Sequence, residues 1–461
     1  MIVRFCVLSF TGLSALVLAA VTEPAMARER EDKGSVYDAY NNEEQTDAQM
    51  DDVGSVAGSI RAALSHNPQI RMAVAQKDAA KAERFRALGN FLPEIEANAT
   101  YANDKWRSDS FQGLTDGNET TVGVTAIQPV FQGLSAINKY RAARTRVSQS
   151  DLSLLAVMQQ TGLEAARAHA GVILARSIVD HRIENMSLVS QQLTVSEKRS
   201  KAGAQSRTGV EQARMRLAQA QVDLGLARTT LAQQEAAYHR IVGVAPPILL
   251  LPDTQDLAGA FSSAEDAISV AHNNNPAIGA ADAAAAAAKL DKKAALGVFA
   301  PQLTLEGSYY KNYGEDPLLP TQDDEEFQIL ARMRVPIFKQ GSNIAGVKSA
   351  NASVAQQEAQ VTMAILAVDE VVQRSWRQLA EATSRAIAAK SGIEAARQSV
   401  KGLQMEYEAG QRSVIDVLDG QRDLVIAQIN ASQAEYELRV SQYELAAATG
   451  TILGAYEIGA E

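Results

Sequence analysis

Asp416 and Asp419 stand three residues apart, so on a helix both carboxylates fall on one face. Acids paired in this way could bind a polyvalent cation. Equally, two acids in the first turns of a helix favour the macrodipole and sit there solvated. Arg332 and Arg334 alternate with Ala331, Met333 and Val335, which predicts a strand with one charged and one apolar face. A charged face toward lipid is costly, so the arginines are expected to line a wet lumen, the alternative being a soluble sheet edge. His66, His169, His181, His239 and His272 show no metal spacing such as HExxH and read as surface or packing residues. The acidic run Asp323 to Glu326 lacks the spacing of a calcium loop and is expected to be solvated. With no nucleophile, phosphate cradle or acid–base pair in view, the sequence predicts neither an enzyme, a cofactor nor a resident metal.

The surroundings of these residues narrow the setting. Arg4 precedes an apolar run from Phe5 to Val21 and a small-x-small site at Ala25-Met26-Ala27. Residues 1–27 are therefore expected to be a secretory signal peptide, with a retained anchor as the alternative. The only cysteine, Cys6, leaves with it. The formal net charge is −10 and no Lys/Arg cluster occurs, so nucleic acid is not an expected partner. Residues 28–55 read as a polar, acidic periplasmic extension. Beyond the leader no window approaches about eighteen consecutive apolar residues. That leaves the periplasm, the exterior, or an outer membrane crossed by β-strands.

The chain is a tandem duplication. Ala87-Leu88-Gly89-Asn90-Phe91-Leu92-Pro93 is answered by Ala295-Leu296-Gly297-Val298-Phe299-Ala300-Pro301 at an offset of 208, and Pro129-Val130-Phe131 by Pro336-Ile337-Phe338 at 207. Repeat 1 spans 56–242: a helix to about residue 90, a β-hairpin at about 94–131, a long helix, a tip turn at 202–208, and a second helix. Within the hairpin a loop is expected from Asp104 to Glu119 and a second strand from Thr121, ended by Pro129. A linker, 243–262, leads to repeat 2, 263–449, with its hairpin at about 302–338 and tip turn at 409–414; 450–461 is a tail. Each long helix, about 66 residues, makes a rod of roughly 100 Å, which must lie along other helices. The two shorter helices of a repeat match it end to end, giving a two-column coiled coil topped by a hairpin. Tyr101, Trp106, Tyr309 and Tyr310 lie near strand ends, where an aromatic girdle would sit. Four strands cannot close a barrel, so copies must combine; polar faces lining water favour a trimer of twelve strands over a dimer of eight.

The strand exits Gln128-Pro129-Val130-Phe131 and Val335-Pro336-Ile337-Phe338, and above all the segment from Ala409-Gly410-Gln411-Arg412-Ser413 through Val414-Ile415-Asp416-Val417-Leu418-Asp419, resemble the TolC outer membrane efflux protein family. The resemblance covers essentially the whole mature length. It implies a homotrimer in the outer membrane of a Gram-negative bacterium: a twelve-stranded β-barrel continued by an α-helical coiled-coil barrel through the periplasm. Such a duct expels drugs or secreted proteins, opening at its tip when it meets a periplasmic adaptor and an inner-membrane RND, ABC or MFS-type pump. Carried over by position, Asp416 and Asp419 form two stacked carboxylate rings at the constriction. Tyr407 and Arg412 latch the tip, Thr208 is one acceptor, and Gly203, Ala204, Gly410 and Gln411 form the docking turns. The second acceptor, an aspartate in well-studied members, is Gly209 here, and Glu211 is the nearest substitute. The rival reading is a secreted or periplasmic coiled-coil structural protein whose strands are only connectors.

Overall fold

The computed structural model describes residues 54–108, 113–253, 255, 257, 259, 261–314 and 324–458. The expected signal peptide, all but the last two residues of the expected extension, Asp323 and the side chain of Trp106 lie outside the described residues. Repeat 1 runs α1 (Val56–His66), α2 (Pro68–Gly89), β1 (Glu94–Ser108), β2 (Gly113–Gln132), α3 (Ser135–Lys201) and α4 (Arg207–Val242). Repeat 2 runs α5 (Ala264–Asn274), α6 (Pro276–Leu296), β3 (Gln302–Gly314), β4 (Asp324–Arg334), α7 (Ser342–Glu408) and α8 (Val414–Ala448), and a single turn, α9 (Ile452–Ala455), follows.

The first helix of each repeat is broken where the sequence reading had it continuous. Asn67 and Asn275 are extended, with ψ of 127° and 117°, and each side chain accepts from the amide two residues on, at 2.9 Å. Pro68 and Pro276 then occupy the first helical position, where no N–H is needed. The strands are also longer than expected. β1 and β2 pair from Glu94↔Ile127 out to Ser108↔Gly113, so most of the expected loop is ladder. Pro129 does not end β2; a register shift between Pro129 and Phe131 absorbs its missing donor.

The sheet is antiparallel in the order β1-β2-β3-β4. Its register sorts most side chains by polarity, with Ile127 and Leu330 as apolar exceptions on the polar face and Lys311 and Glu325 as charged ones on the apolar face. One face collects Glu94, Glu96, Asn98, Thr100, Thr121, Thr125, Glu306, Ser308, Arg332 and Arg334; the other collects Ile95, Ala97, Tyr101, Val122, Val124, Leu303, Leu305, Tyr309, Phe327, Ile329 and Met333. Tyr310 departs from the expected girdle. It lies on the polar face, its ring over Gly123 and its hydroxyl 2.9 Å from the Thr125 hydroxyl.

α3 and α7 are 67 residues each, rods of about 100 Å. Ion pairs fix what lies along them: Lys77–Asp151 joins α2 to α3, Arg176–Glu235 and Arg182–Asp223 join α4 to α3, Lys289–Glu358 joins α6 to α7, and Arg385–Glu437 joins α8 to α7. Such exposed or half-buried pairs set register more than stability. Buried Ala142, Ala143, Ala165 and Ala166 let backbones approach along α3. The repeats differ in one respect: α3 buries 21 of its residues and α7 only 7. The repeat-2 rod therefore keeps a face, including Ile344, Met363 and Leu366, that the chain itself leaves exposed.

The largest core lies midway along the rods, where Ile60, Ile70, Leu154, Val172, Tyr238, Tyr443, Ile452 and Leu453 meet Leu250 and Leu257 of the linker. Arg176 clamps that linker by donating to the carbonyls of Pro247 and Ile248, each at 2.8 Å. Within this core His169 Nε2 donates to the Leu251 carbonyl at 3.0 Å, which leaves Nδ1 to accept from the Ser59 hydroxyl at 2.8 Å; Ser59 accepts in turn from Tyr238 at 2.8 Å. Burial holds the His169 pKa below its ordinary 6.5, the neighbouring carbonyl opposing this in part. The unfolded chain thus takes up a proton that the folded one refuses. Stability is full above about pH 6.5 and falls below it, by up to about 1.4 kcal/mol per pH unit for one proton. Thermal midpoints of the detergent-solubilised chain between pH 7.5 and 5 are expected to show this slope, and His169→Gln to flatten it; equal slopes would remove His169 as its source.

Candidate functional site at the helical tip

At the end far from the sheet, each coil reverses through a glycine. Gly203 and Gly410 have φ of 72° and 74°, with open space where a Cβ would stand, so the backbone angle and not crowding calls for glycine. The amides of Ala204 and Gln411 close the turns on the carbonyls of Arg199 and Glu406, both at 2.9 Å. Gly203, Ala204, Gly410 and Gln411 are all exposed. Ser206 and Ser413 cap the returning helices α4 and α8.

Above the turns an apolar cluster joins the two coils. Val189 and Ala213 of repeat 1 meet Val414 and Leu418 of repeat 2, with Leu193, Leu217 and Tyr407 packed around them. The Arg199 guanidinium lies 4.5 Å from the centre of the Tyr407 ring, a cation–π contact. The Tyr407 hydroxyl donates to Gln205 Oε1 at 3.4 Å. Gln205, and not the expected substitute Glu211, thus supplies the acceptor that Gly209 cannot. Its amide folds over Gly209: a Cβ on Gly209 would lie 2.8 Å from Gln205 Nε2. Thr208, exposed in the first turn of α4, makes no hydrogen bond to Tyr407 or Arg412 within the chain. Glu211 binds Arg214 at 3.3 Å and not Tyr407. Arg412 binds Glu406, in its own repeat, at 2.8 Å.

The two aspartates are held differently. Asp416 closes a capping box: one carboxylate oxygen accepts from the Ser413 hydroxyl at 2.7 Å and the Ser413 amide at 2.9 Å. Those bonds, with the nearby Arg412 charge, hold its pKa below the usual carboxylate value. Asp419, one turn on, pairs across the coils with Arg216 of α4 at 2.5 Å. The sequence reading missed Gln205, Arg199 and Arg216. Only Gln205 leaves a local trace, being four residues before a glycine at a helix start.

At the other end of the rods, the apolar face of the sheet is open, with Ile95, Tyr101, Phe327, Ile329 and Met333 all exposed. Arg332 lies on the opposite face and pairs with Glu306 at 3.0 Å. Among the described residues no helix is long and apolar enough to cross a membrane. The sheet, with one polar and one apolar face, has the two-sided chemistry of a strand between water and lipid.

Comparison with known proteins gives the family. The family model described as outer membrane efflux protein matches residues 59–244 and 267–451, one match to each repeat. The chain is 30% identical over 366 residues to the outer membrane efflux protein BepC of Brucella suis, covering 78% of this chain and 77% of that one. It is 26% identical over 396 residues to the outer membrane protein TolC of Vibrio cholerae, covering 85% and 89%. In fold it resembles the Campylobacter jejuni CmeC outer membrane channel, with a TM-score of 0.75 at 15% identity, covering 86% and 85%. Two matched repeats, a two-faced sheet and paired coils together identify the chain as a member of the outer membrane efflux protein family, an efflux channel of the Gram-negative outer membrane.

Proposed function

We propose that three copies of this chain close one duct, a twelve-stranded barrel in the outer membrane continued by a helical tunnel through the periplasm. Drugs or secreted proteins leave through it. An adaptor meets the exposed turns at Gly203, Ala204, Gly410 and Gln411, and an inner-membrane RND, ABC or MFS-type pump drives export. Arg332 and Arg334 face the water of the lumen. The narrow end lies at the tip, with Asp416 and Asp419 inside it and Tyr407, Arg412 and Thr208 near the seam between coils. No step of this activity calls for a catalytic group or a cofactor.

The observation that carries the reading is the sheet: one polar face, one apolar face, and unpaired edges at β1 and β4. A barrel satisfies both edges and both faces at once. The chain also supplies the template for closure. The two hairpins pair in equivalent register, Glu94↔Ile127 corresponding to Gln302↔Arg334 at the repeat offsets of 208 and 207. The same offsets carry the β2–β3 pairs Gly123↔Tyr310 and Thr125↔Ser308 onto the outer edges. They set Leu330 opposite Ala102 of the partner subunit, and Arg332 opposite Thr100 of the partner subunit.

With Cys6 confined to the expected leader, engineered thiols report alone. Leu330→Cys combined with Ala102→Cys is expected to oxidise to a covalent trimer in isolated outer membranes, whereas Leu330→Cys with Asn98→Cys, about 13 Å off register, is expected to remain uncrosslinked. Crosslinking by the second pair and not the first would overturn the register. A monomeric, membrane-free chain would end the duct reading.

A further inference from the structure

Resting on that reading, we propose that Arg216 sets the cation affinity of the duct's narrow end by cancelling the charge of Asp419. Of the two aspartates, Asp416 is the one left without an ion-pair partner among the described residues.

Three observations carry the assignment. First, the pair is specific and crosses the chain: Arg216 Nη2 on α4 of repeat 1 lies 2.5 Å from Asp419 Oδ1 on α8 of repeat 2. The arginine side chain is 24% exposed and the aspartate 42%, so the pair is only partly open to screening. Second, the arginine is held where it is. Ala213 and Leu217, on either side of it along α4, belong to the apolar cluster that joins the coils. Its Nε is shut off from solvent without a hydrogen-bond partner, and among the described residues its ion-pair partner is Asp419. A guanidinium so placed is always charged and well suited to a carboxylate. Third, Asp416 is not cancelled in this way. Its bonds go to the neutral amide and hydroxyl of Ser413, while the nearest cation, Arg412, pairs with Glu406.

The spacing of the two acids alone implies six negative charges around the narrow end of a trimer. With Arg216 counted, three remain. The site is accordingly weaker toward polyvalent cations than its acidic residues suggest. It is tunable from a position on the other coil, 203 residues away in sequence and adjacent only through the fold. Because α4 and α8 belong to different coils, the same pair also ties the coils together beside the apolar cluster.

The test is block of single-channel current by hexaamminecobalt(III) added to the tip side of the full mature trimer. Arg216→Gln, which frees one carboxylate per copy, is expected to tighten the block by about tenfold or more. Adding Asp419→Asn to that variant is expected to remove the gain, and Asp416→Asn alone to weaken the block by a similar factor. Arg216→Gln without effect, or a gain that survives Asp419→Asn, would overturn the proposal. A second measurement is independent of current: Arg216→Cys with Asp419→Cys, treated with a short bis-thiol-reactive linker, is expected to give an intramolecular bridge detected by mass. A missing bridge in a conducting trimer counts against the pair itself. A bridge formed in a trimer that never conducts would instead sink the duct reading and this proposal with it.

Discussion

Gly297→Val is expected to leave almost no stable oligomer in the outer membrane. Gly297 sits where α6 ends and the chain turns toward β3, and there it meets the exit of β2 from the other repeat. A Cβ at this position would lie 2.4 Å from the Gly133 carbonyl oxygen and 2.9 Å from the Ser135 amide nitrogen. Both obstacles are backbone, and Gly133 is itself fixed at a φ of 61°, so neither can swing aside as a side chain would. Overpacking usually costs about 1–3 kcal/mol, and a backbone collision belongs at or above the top of that range. Thermal unfolding and the fraction of heat-resistant oligomer on gels measure the loss; wild-type behaviour of both would show that the seam yields. Its repeat equivalent, Gly89, has open space around it within the chain. Under the trimer proposal that space is taken by the backbone at Gln340 and Ser342 of the partner subunit. Gly89→Val should therefore spare helical content and lower the yield of covalent trimer.

Leu418→Asp is expected to open the tip. Leu418 is 2% exposed at the centre of the cluster that holds the coils together. A carboxylate there meets two cations that are already engaged, Arg216 by Asp419 and Arg199 by the Tyr407 ring. An unpaired buried charge costs on the order of 3–5 kcal/mol, and the burial of the leucine side chain is lost with it, so the coils are expected to part and the charge to reach water. Conductance should rise several-fold, and cells carrying the variant should become sensitive to large antibiotics that the outer membrane excludes. The thermal transition of the sheet and central core should stay near that of wild type. Unchanged conductance with the aspartate verified in place would show that this cluster does not hold the passage shut.

Much of this arrangement is legible in the sequence because it is local or repeated. Period-two alternation from Glu94 to Tyr101 marks a strand, glycines at 203 and 410 mark reversals, and the paired Ala-Leu-Gly and Pro-x-Phe segments mark the duplication. The failures have equally physical causes. Asn67-Pro68 carries its own stop signal, but the helical composition on both sides masked it; a side-chain cap and a proline at the next helix start outweigh composition. Gly, Asp and Asn between residues 104 and 119 suggest a loop, yet pairing to a neighbouring strand keeps them in a ladder. The contacts of Arg216 with Asp419, of Tyr407 with Gln205 and of His169 with Ser59 and Tyr238 span between 69 and 203 residues only through the fold. No local pattern announces them.

The edges of the sheet bear on a hazard that precedes any transport. A secreted copy that has not yet found its neighbours exposes two strand edges and an apolar face, the ingredients of runaway strand addition. β1 carries Glu94 and Glu96 on its polar face, whereas β4 carries Arg332 and Arg334 on the same side. Under the trimer proposal β4 meets β1 of another copy with Arg334 opposite Asn98 of the partner subunit and diagonal to Glu96 of the partner subunit, so opposite charges come within reach at the seam. A head-to-tail order of this kind that curves with a fixed rotation ends by meeting itself. The two different edges of the sheet thus bear on assembly as well as on transport, favouring a closed ring over an open-ended fibre before the channel exists.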